Sequence, residues 1–248
     1  MNPQNQAFDA ALGRFSGARD GRAAAHTTRV VVVGRLGLVD VVAGPPPPVD
    51  AHDAWVITGS RSDAFADDDW IVRLVDWVVE ARRHRVRVAG ICFGHQLIAH
   101  FFGGEAGPAP VGWAVGVQTS DVVLNPRWMN AVGVPPSQLN LVSSHKDQVL
   151  KLPDGAEVFA TSDFCEVSGF TMGNEVLTIQ GHPELTTDYS QALMGVRRQL
   201  LGEEVYQAGI DSLQKNTDER LFTQWMLAFI NDRASADERA EVSQQRHG

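Results

Sequence analysis

The chain has 248 residues and a formal net charge of −9, with 21 Lys and Arg against 30 Asp and Glu. That length suits one α/β domain around a single core, and the acidic balance excludes a basic stripe able to neutralise a nucleic-acid backbone or an anionic membrane. Two cysteines, Cys92 and Cys165, are too few for a disulfide framework and point to a reducing, cytoplasmic setting.

Residues 1–28 are rich in Ala and Arg but carry Asp9 and Asp20, unlike an acid-poor transit peptide, and no charged-then-apolar secretory signal opens the chain. They are expected to be partly helical or disordered. Residues 29–33 and 38–42 both read as strands, separated only by Gly34-Arg35-Leu36-Gly37. A parallel pair needs a crossover of about a dozen residues, so these two are expected as a hairpin. Pro45-Pro46-Pro47-Pro48 then forms a stiff extended linker.

From Trp55 onward, short β-branched runs alternate with amphipathic segments, the pattern of a mostly parallel open sheet covered by helices on both faces, a three-layer α/β fold. Residues 54–58 read as a buried strand. Asp67, Asp68 and Asp69 supply a cap and a negative first turn for a helix with Trp70, Ile71, Leu74, Trp77 and Val78 on its apolar face. Residues 86–91 form the next strand, and Leu97, Ile98, Phe101 and Phe102 repeat at helical spacing until Gly103-Gly104 stops the helix. Further strands are expected over 116–124, 138–143, 157–160 and 176–179, between Pro and Gly turns. Residues 189–201, a broken stretch to 213, and 218–230 read as helical. The longest apolar run, residues 225–230, is far shorter than a membrane span of about 20 residues. The domain is expected over 29–231, and the polar residues 232–248 as a disordered tail.

Two segments carry chemistry. In Val88-Ala89-Gly90-Ile91-Cys92-Phe93-Gly94-His95-Gln96, a strand runs into a cysteine and turns through a glycine into a helix. Such an elbow projects the side chain at the turn into the crevice at the carboxyl end of a sheet. There a thiolate is favoured by the helix N-terminus and by a neighbouring imidazolium, and the backbone N–H of Phe93 would face a developing oxyanion. A free cysteine is otherwise most often a small buried residue, which is the reading for Cys165, since no elbow surrounds it.

A thiol nucleophile needs a base, and the base needs a group that fixes its tautomer. Gln180-Gly181-His182-Pro183-Glu184 offers both, because proline keeps the preceding His182 extended and residues two apart in an extended chain face the same side. His145, in Ser143-Ser144-His145-Lys146-Asp147-Gln148, is the rival base, but its carboxylate Asp147 is not held in a proline-fixed geometry. His95 and His100 lie on the helix after the elbow, where packing roles are commoner. No Cys/His spacing resembles a zinc site, and no cofactor is implied.

Gly90-Ile91-Cys92-Phe93-Gly94-His95-Gln96, Ser144-His145-Lys146-Asp147-Gln148-Val149 with Leu152-Pro153-Asp154-Gly155-Ala156, and Gly181-His182-Pro183-Glu184 together match one family. Over residues 49–232 the chain resembles class I glutamine amidotransferases, specifically stand-alone proteins similar to the glutaminase domain of GMP synthase. The resemblance implies a flavodoxin-like sheet and a Cys92, His182 and Glu184 triad. It also implies an oxyanion hole from the N–H groups of Gly59 and Phe93. Gln96 would then hold the amino-acid end of the substrate, with His145 and Asp147 as pocket-wall candidates. The implied reaction is hydrolysis of glutamine through a γ-glutamyl thioester, with a separate ammonia-accepting synthetase subunit as a partner to be tested. Because no synthetase domain or P-loop occurs in the sequence, a γ-glutamyl peptide hydrolase is the first alternative, and a catalytically silent interaction protein the second.

Two departures from the family pattern stand out. Family members carry a strand and a loop before the first helix, whereas here residues 5–14 resemble that helix with no strand before it, so residues 29–33 would have to replace the first strand. Ser60-Arg61 stands where many relatives have Gly-Pro.

Overall fold

The computed structural model describes residues 29–33 and 37–232. The partly helical or disordered segment expected over residues 1–28, with its helix at 5–14, and all but Asp232 of the tail expected over 232–248 lie outside the described residues. Among these, the strands are β1 (Arg29–Val33), β2 (Gly37–Asp40), β3 (Ala54–Ile57), β4 (Arg87–Ile91), β5 (Glu105–Pro108) and β6 (Ala114–Val122). They continue with β7 (Gln138–His145), β8 (Asp147–Lys151), β9 (Ala156–Thr161), β10 (Gly169–Met172) and β11 (Val176–Ile179). The main sheet runs β2-β1-β3-β4-β11-β10-β9-β6-β7, and β5 pairs with β8 apart from it.

The open α/β sheet with helices on both faces is as expected, and its parallel pairs sit together at the centre. There β3 pairs with β4 and β4 with β11, in register Ile57↔Gly90 and Ile179↔Ile91. The other ladders of the main sheet are antiparallel. Short connections decide this for β1–β2 and β10–β11, because a chain that turns back within a few residues can pair only antiparallel. The N-terminal pair is one such case: β1 and β2 form the expected hairpin, with Val30 opposite Val39. Strand β1 then lies antiparallel beside β3, with Val31 opposite Val56. It fills the position next to β3 by this reversed route, and β2 forms the edge.

Alternate residues of the central strands face the two covering layers. Trp55, Ile57, Val88 and Val176 pack with Ile71, Leu74 and Val78 of α1 (Asp69–Arg83) and Leu97 and Ile98 of α2 (Phe93–Phe101). Ala54, Val56, Ala89, Ile91, Leu177 and Ile179 face α3 (Arg127–Asn130) at one end of the chain's return. In chain order there follow α4 (Thr187–Val196), α5 (Arg198–Leu201), α6 (Glu203–Ser212) and α7 (Glu219–Asn231). The second face is completed by Phe222, Trp225, Met226 and Phe229 of α7. Phe101, expected on the buried face of α2, is 37% exposed because the helix ends there and Gly103 reverses the chain at φ 98°.

Side-chain anchors fix the ends. The indoles of Trp77 and Trp55 donate to the carbonyls of Pro47 (2.6 Å) and Val49 (2.8 Å), seating the proline linker on α1 and β3. Buried Arg87 donates to the Ile230 carbonyl at 2.7 Å and also to the Asp232 carbonyl, capping the otherwise unpaired carbonyls at the end of α7. Asp232 also takes an ion pair from Arg127 at 2.7 Å. Asp68 precedes α1 but makes no side-chain cap; its carbonyl accepts from Ile71 instead. No helix among the described residues is long and apolar enough to cross a membrane.

Candidate active site at the carboxyl edge of the parallel strands

The parallel register brings three loops to one edge. Because Ile57 is level with Gly90 and Ile91 with Ile179, the chain just beyond each strand carries Gly59, Cys92 and His182 into the same crevice. The Cys92 N–H donates to the Ile179 carbonyl at 2.9 Å, which ties the elbow directly to the end of β11. Cys92 has φ 51° and ψ −97°. A non-glycine residue held there stores of order 1–3 kcal/mol of backbone strain, and the reward is a thiol projected from a sharp turn with the N-terminus of α2 behind it. Phe93 is the first residue of that helix, so its N–H has no intrahelical acceptor. Tight packing makes the elbow possible: a Cβ at Gly94 would lie 2.6 Å from the Ile57 carbonyl oxygen.

His182 is extended, as the following proline requires. Its N–H donates to the Val142 carbonyl at 2.7 Å in an isolated antiparallel bridge to β7. The side chain of Glu184 comes round to the same side, and its Oε1 accepts from His182 Nδ1 at 2.7 Å, with both side chains below a tenth exposed. The imidazole also hydrogen-bonds Cys92. Burial opposes the charged imidazole, but the Glu184 carboxylate and then the Cys92 sulfur outweigh it and hold His182 well above its ordinary value. Gly59 closes the third side. A Cβ there would fall 2.9 Å from His182 Cε1 and 3.9 Å from Cys92 Cβ, so only glycine lets the loop approach the pair.

The remaining sequence candidates occupy a second tier. Gln96 is 5% exposed, and its Nε2 donates to the Asp147 carbonyl (2.7 Å) and to Gln180 Oε1 (3.1 Å). Both of its N–H bonds are thereby engaged, leaving only its carbonyl oxygen for another group. His145 Nδ1 donates to the same Asp147 carbonyl at 3.1 Å. Burial, followed by the charge of His182, lowers His145 to about 3, so it stays neutral and is too weak a base to take a thiol proton. The hub is therefore the carbonyl of Asp147 and not its side chain, whose carboxylate is raised by burial and by nearby Asp63. His95 is also neutral, lowered to about 3 by burial; it bridges the Val167 carbonyl (3.0 Å) and Thr178 Oγ1 (2.9 Å).

Sequence reasoning missed Gln180, although it lies two residues before His182 and shares its face. It also missed Arg197, between α4 and α5, whose Nη1 donates to Ser144 Oγ at 3.0 Å beside the site. An arginine in a helical run, here next to Arg198, carries no local signal. Among the described residues, no group of three or more His, Cys, Asp or Glu side chains is arranged to hold a metal ion.

Comparison with known proteins agrees with this architecture. Residues 63–194 match the family glutamine amidotransferase class-I. The chain is 39% identical over 140 residues to gamma-glutamyl peptidase 3 of Arabidopsis thaliana, covering 55% of this chain and 56% of that protein. It is 34% identical over 184 residues to gamma-glutamyl peptidase 4 of the same plant, covering 71% and 72%. The first of these matches thus spans little more than half the relative's length. A solved glutamine amidotransferase from Thermotoga maritima superposes with a TM-score of 0.62 at 17% identity, covering 75% of this chain and 81% of that one, and shares its fold. With more than half of its length matched by the family and a relative aligned over most of both chains, the protein belongs to the class I glutamine amidotransferases.

Proposed function

We propose that the protein hydrolyses γ-glutamyl amide bonds, with Cys92 as nucleophile, His182 as acid and base, and Glu184 as the group that orients His182. The observation carrying this reading is the shared imidazole: His182 lies between a buried carboxylate 2.7 Å from Nδ1 and the thiol of a strained elbow. A buried cysteine kept only for packing has no need of either partner. That gamma-glutamyl peptidases are among the relatives supports the γ-glutamyl class of substrate.

In the reaction, the Cys92 sulfur attacks the side-chain carbonyl carbon of the γ-glutamyl group while its proton resides on His182. The N–H groups of Gly59 and Phe93 receive the oxyanion. Collapse breaks the C–N bond, the departing nitrogen takes the proton from His182, and a γ-glutamyl thioester remains on Cys92. Water, losing a proton to His182, attacks the thioester and releases glutamate and the free thiol. Preorganised donors of this kind are worth about 10²–10³ in rate each. His145 and the Gln96–Gln180 pair serve as the buried wall that fixes the Asp147 loop. Two unbridged cysteines fit a reducing cytoplasm.

The test is to supply purified protein with glutamine, γ-glutamyl dipeptides and glutathione and to quantify glutamate and ammonia separately. Glutamate released without ammonia supports a peptidase, whereas ammonia released only with a cell extract supports a glutaminase subunit served by a separate acceptor. No glutamate from any compound contradicts the proposal.

A further inference from the structure

Gln180 carries a buried donor without a partner: the residue is 2% exposed, and its Nε2 meets no acceptor among the described residues. Its orientation is nevertheless fixed. The Asp147 carbonyl can only accept, so the Gln96 atom facing it at 2.7 Å is Nε2. The second N–H of that nitrogen needs an acceptor too, which makes the Gln180 atom 3.1 Å away Oε1. Turning either amide over would set two donors or two acceptors against each other. Both N–H bonds of Gln180 Nε2 therefore point away from Gln96, and a buried donor left unmet costs more than the bond it would make.

A cavity adjoins Gln180. The main sheet curls until its last strand, β7, meets the chain just beyond β11 at the Val142–His182 bridge. Between β6, β7 and the end of β11 this leaves about 20 Å³ in which the centre of a water molecule can lie, above the roughly 10–15 Å³ that one water requires. The wall is mixed: Leu141 and Phe164 are apolar, whereas Gln180, Ser143, Ser168 and His145 bring polar groups. The Ser168 carbonyl accepts the Gln180 N–H at 2.8 Å, which sets these two residues side by side. Its hydroxyl donates to the Cys165 carbonyl at 2.7 Å and keeps its lone pairs for a further donor. His145 is neutral and spends its Nδ1–H on the Asp147 carbonyl, so its Nε2 is an acceptor. The wall thus offers a donor in want of an acceptor and acceptors in want of a donor. Water is both.

We propose that a water molecule is bound in this cavity, accepting from Gln180 Nε2 and donating to the serine and histidine acceptors of the wall, and that Gln180 is thereby a positioning residue for Gln96. Pinned from both sides, the Gln180 amide keeps the Gln96 amide from turning. Gln96 stands one helical turn beyond Cys92, whose carbonyl accepts its N–H at 3.0 Å, and its side-chain oxygen is kept for another group. The water site stands on this geometry alone, while its effect on turnover rests on the γ-glutamyl hydrolase reading.

The experiment is a crystal structure of the wild-type chain at a resolution that orders buried water, with one of Gln180→Met beside it. In the wild type, one water should stand about 2.7–3.2 Å from Gln180 Nε2. It should be lost in Gln180→Met, which keeps the length of the side chain but has no N–H. A wild-type cavity without water, a Gln180 amide bonded to a protein carbonyl, or a water that stays in place in the variant would overturn the proposal. In solution, the wild-type Gln180 amide should show a nuclear Overhauser effect to a long-lived water, which decides the matter even if Gln180→Met misfolds; its absence would count against the site. With a γ-glutamyl dipeptide, Gln180→Met should raise KM about threefold or more and lower kcat by less, because Cys92, His182 and Glu184 are untouched. A fall in kcat with KM unmoved would deny the positioning role. A water on Gln180 in a wild-type chain that turns over no γ-glutamyl compound would sink the hydrolase and keep the site; turnover with a dry cavity would do the reverse.

Discussion

Cys92 and Cys165 are buried almost alike, 7% and 6% exposed, yet their surroundings assign them different chemistry. Cys165 sits in a tight turn, its N–H bonded to the Ser162 carbonyl and hydroxyl at 3.1 and 3.0 Å, and burial drives its thiol up to about 11. Such a thiol is protonated and inert. Cys92 instead lies at a helix N-terminus with φ 51° and a hydrogen bond to an imidazole backed by a carboxylate. Burial alone does not make a nucleophile. The difference is a second charge, installed at the sheet edge by parallel register.

The sharpest way to break this contrast is to exchange the roles by mutation. Cys92→Ala should cost about 10⁴-fold or more in γ-glutamyl hydrolysis, on the scale seen when a triad nucleophile is removed, whereas Cys165→Ala should leave kcat/KM within about twofold. Equal losses would remove the distinction. Glu184→Gln should reduce kcat by roughly 10²–10⁴ through loss of imidazolium stabilisation. Its pH profile is the finer reading. The carboxylate raises His182, so removing it should lower the pH at which His182 loses its proton and shift the alkaline limb of the profile to lower pH. An unmoved limb would mean that Glu184 is not what raises the imidazole. Gly59→Ala pushes a methyl to 2.9 Å from His182 Cε1 and should cost about 10²-fold in kcat with little change in KM.

The smallest effect concerns stability. His95 and His145 are lowered to about 3 in the fold, whereas an unfolded histidine titrates near 6.5. Between these values the unfolded chain binds protons that the folded chain refuses, so stability is present above about pH 6.5 and is lost as pH falls towards 3. Each histidine contributes a slope of about 1.4 kcal/mol per pH unit in that window. His95→Gln should therefore flatten the fall in denaturation midpoint between about pH 6 and 4, where these two sites act. An unchanged slope would contradict its neutral burial.

What could be read from the sequence was local in origin. The elbow is a strand, a cysteine and a glycine in direct succession, and His182 and Glu184 are tied by one proline. Spacing alone therefore anticipated the contacts later seen at 2.7 Å. Strand β11 was placed at its observed bounds because Val176–Ile179 is a plain β-branched run between turns. Three strands were overlooked for physical reasons: β5 holds a glycine and a proline that read as a turn, β10 is only four residues opening on Gly169, and β8 was taken up as part of a motif. Gln96 was expected to hold the amino-acid end of the substrate, with His145 and Asp147 in the pocket wall; what the sequence did not disclose is that the backbone carbonyl of Asp147 draws in the Gln96 amide and His145. No sequence pattern announces such a bond across fifty-one positions. Arg197 was invisible for the same reason, since its meaning comes from Ser144, fifty-three positions away.

The central claim, that one of two buried thiols is a γ-glutamyl nucleophile, is tested most directly by labelling the folded chain with a chloroketone analogue of glutamine and mapping the adduct by mass spectrometry. One adduct per chain on Cys92, absent in Cys92→Ala and suppressed by a γ-glutamyl dipeptide, is the predicted result. An unlabelled Cys92 in folded protein, or an adduct on Cys165 in its place, would contradict the account.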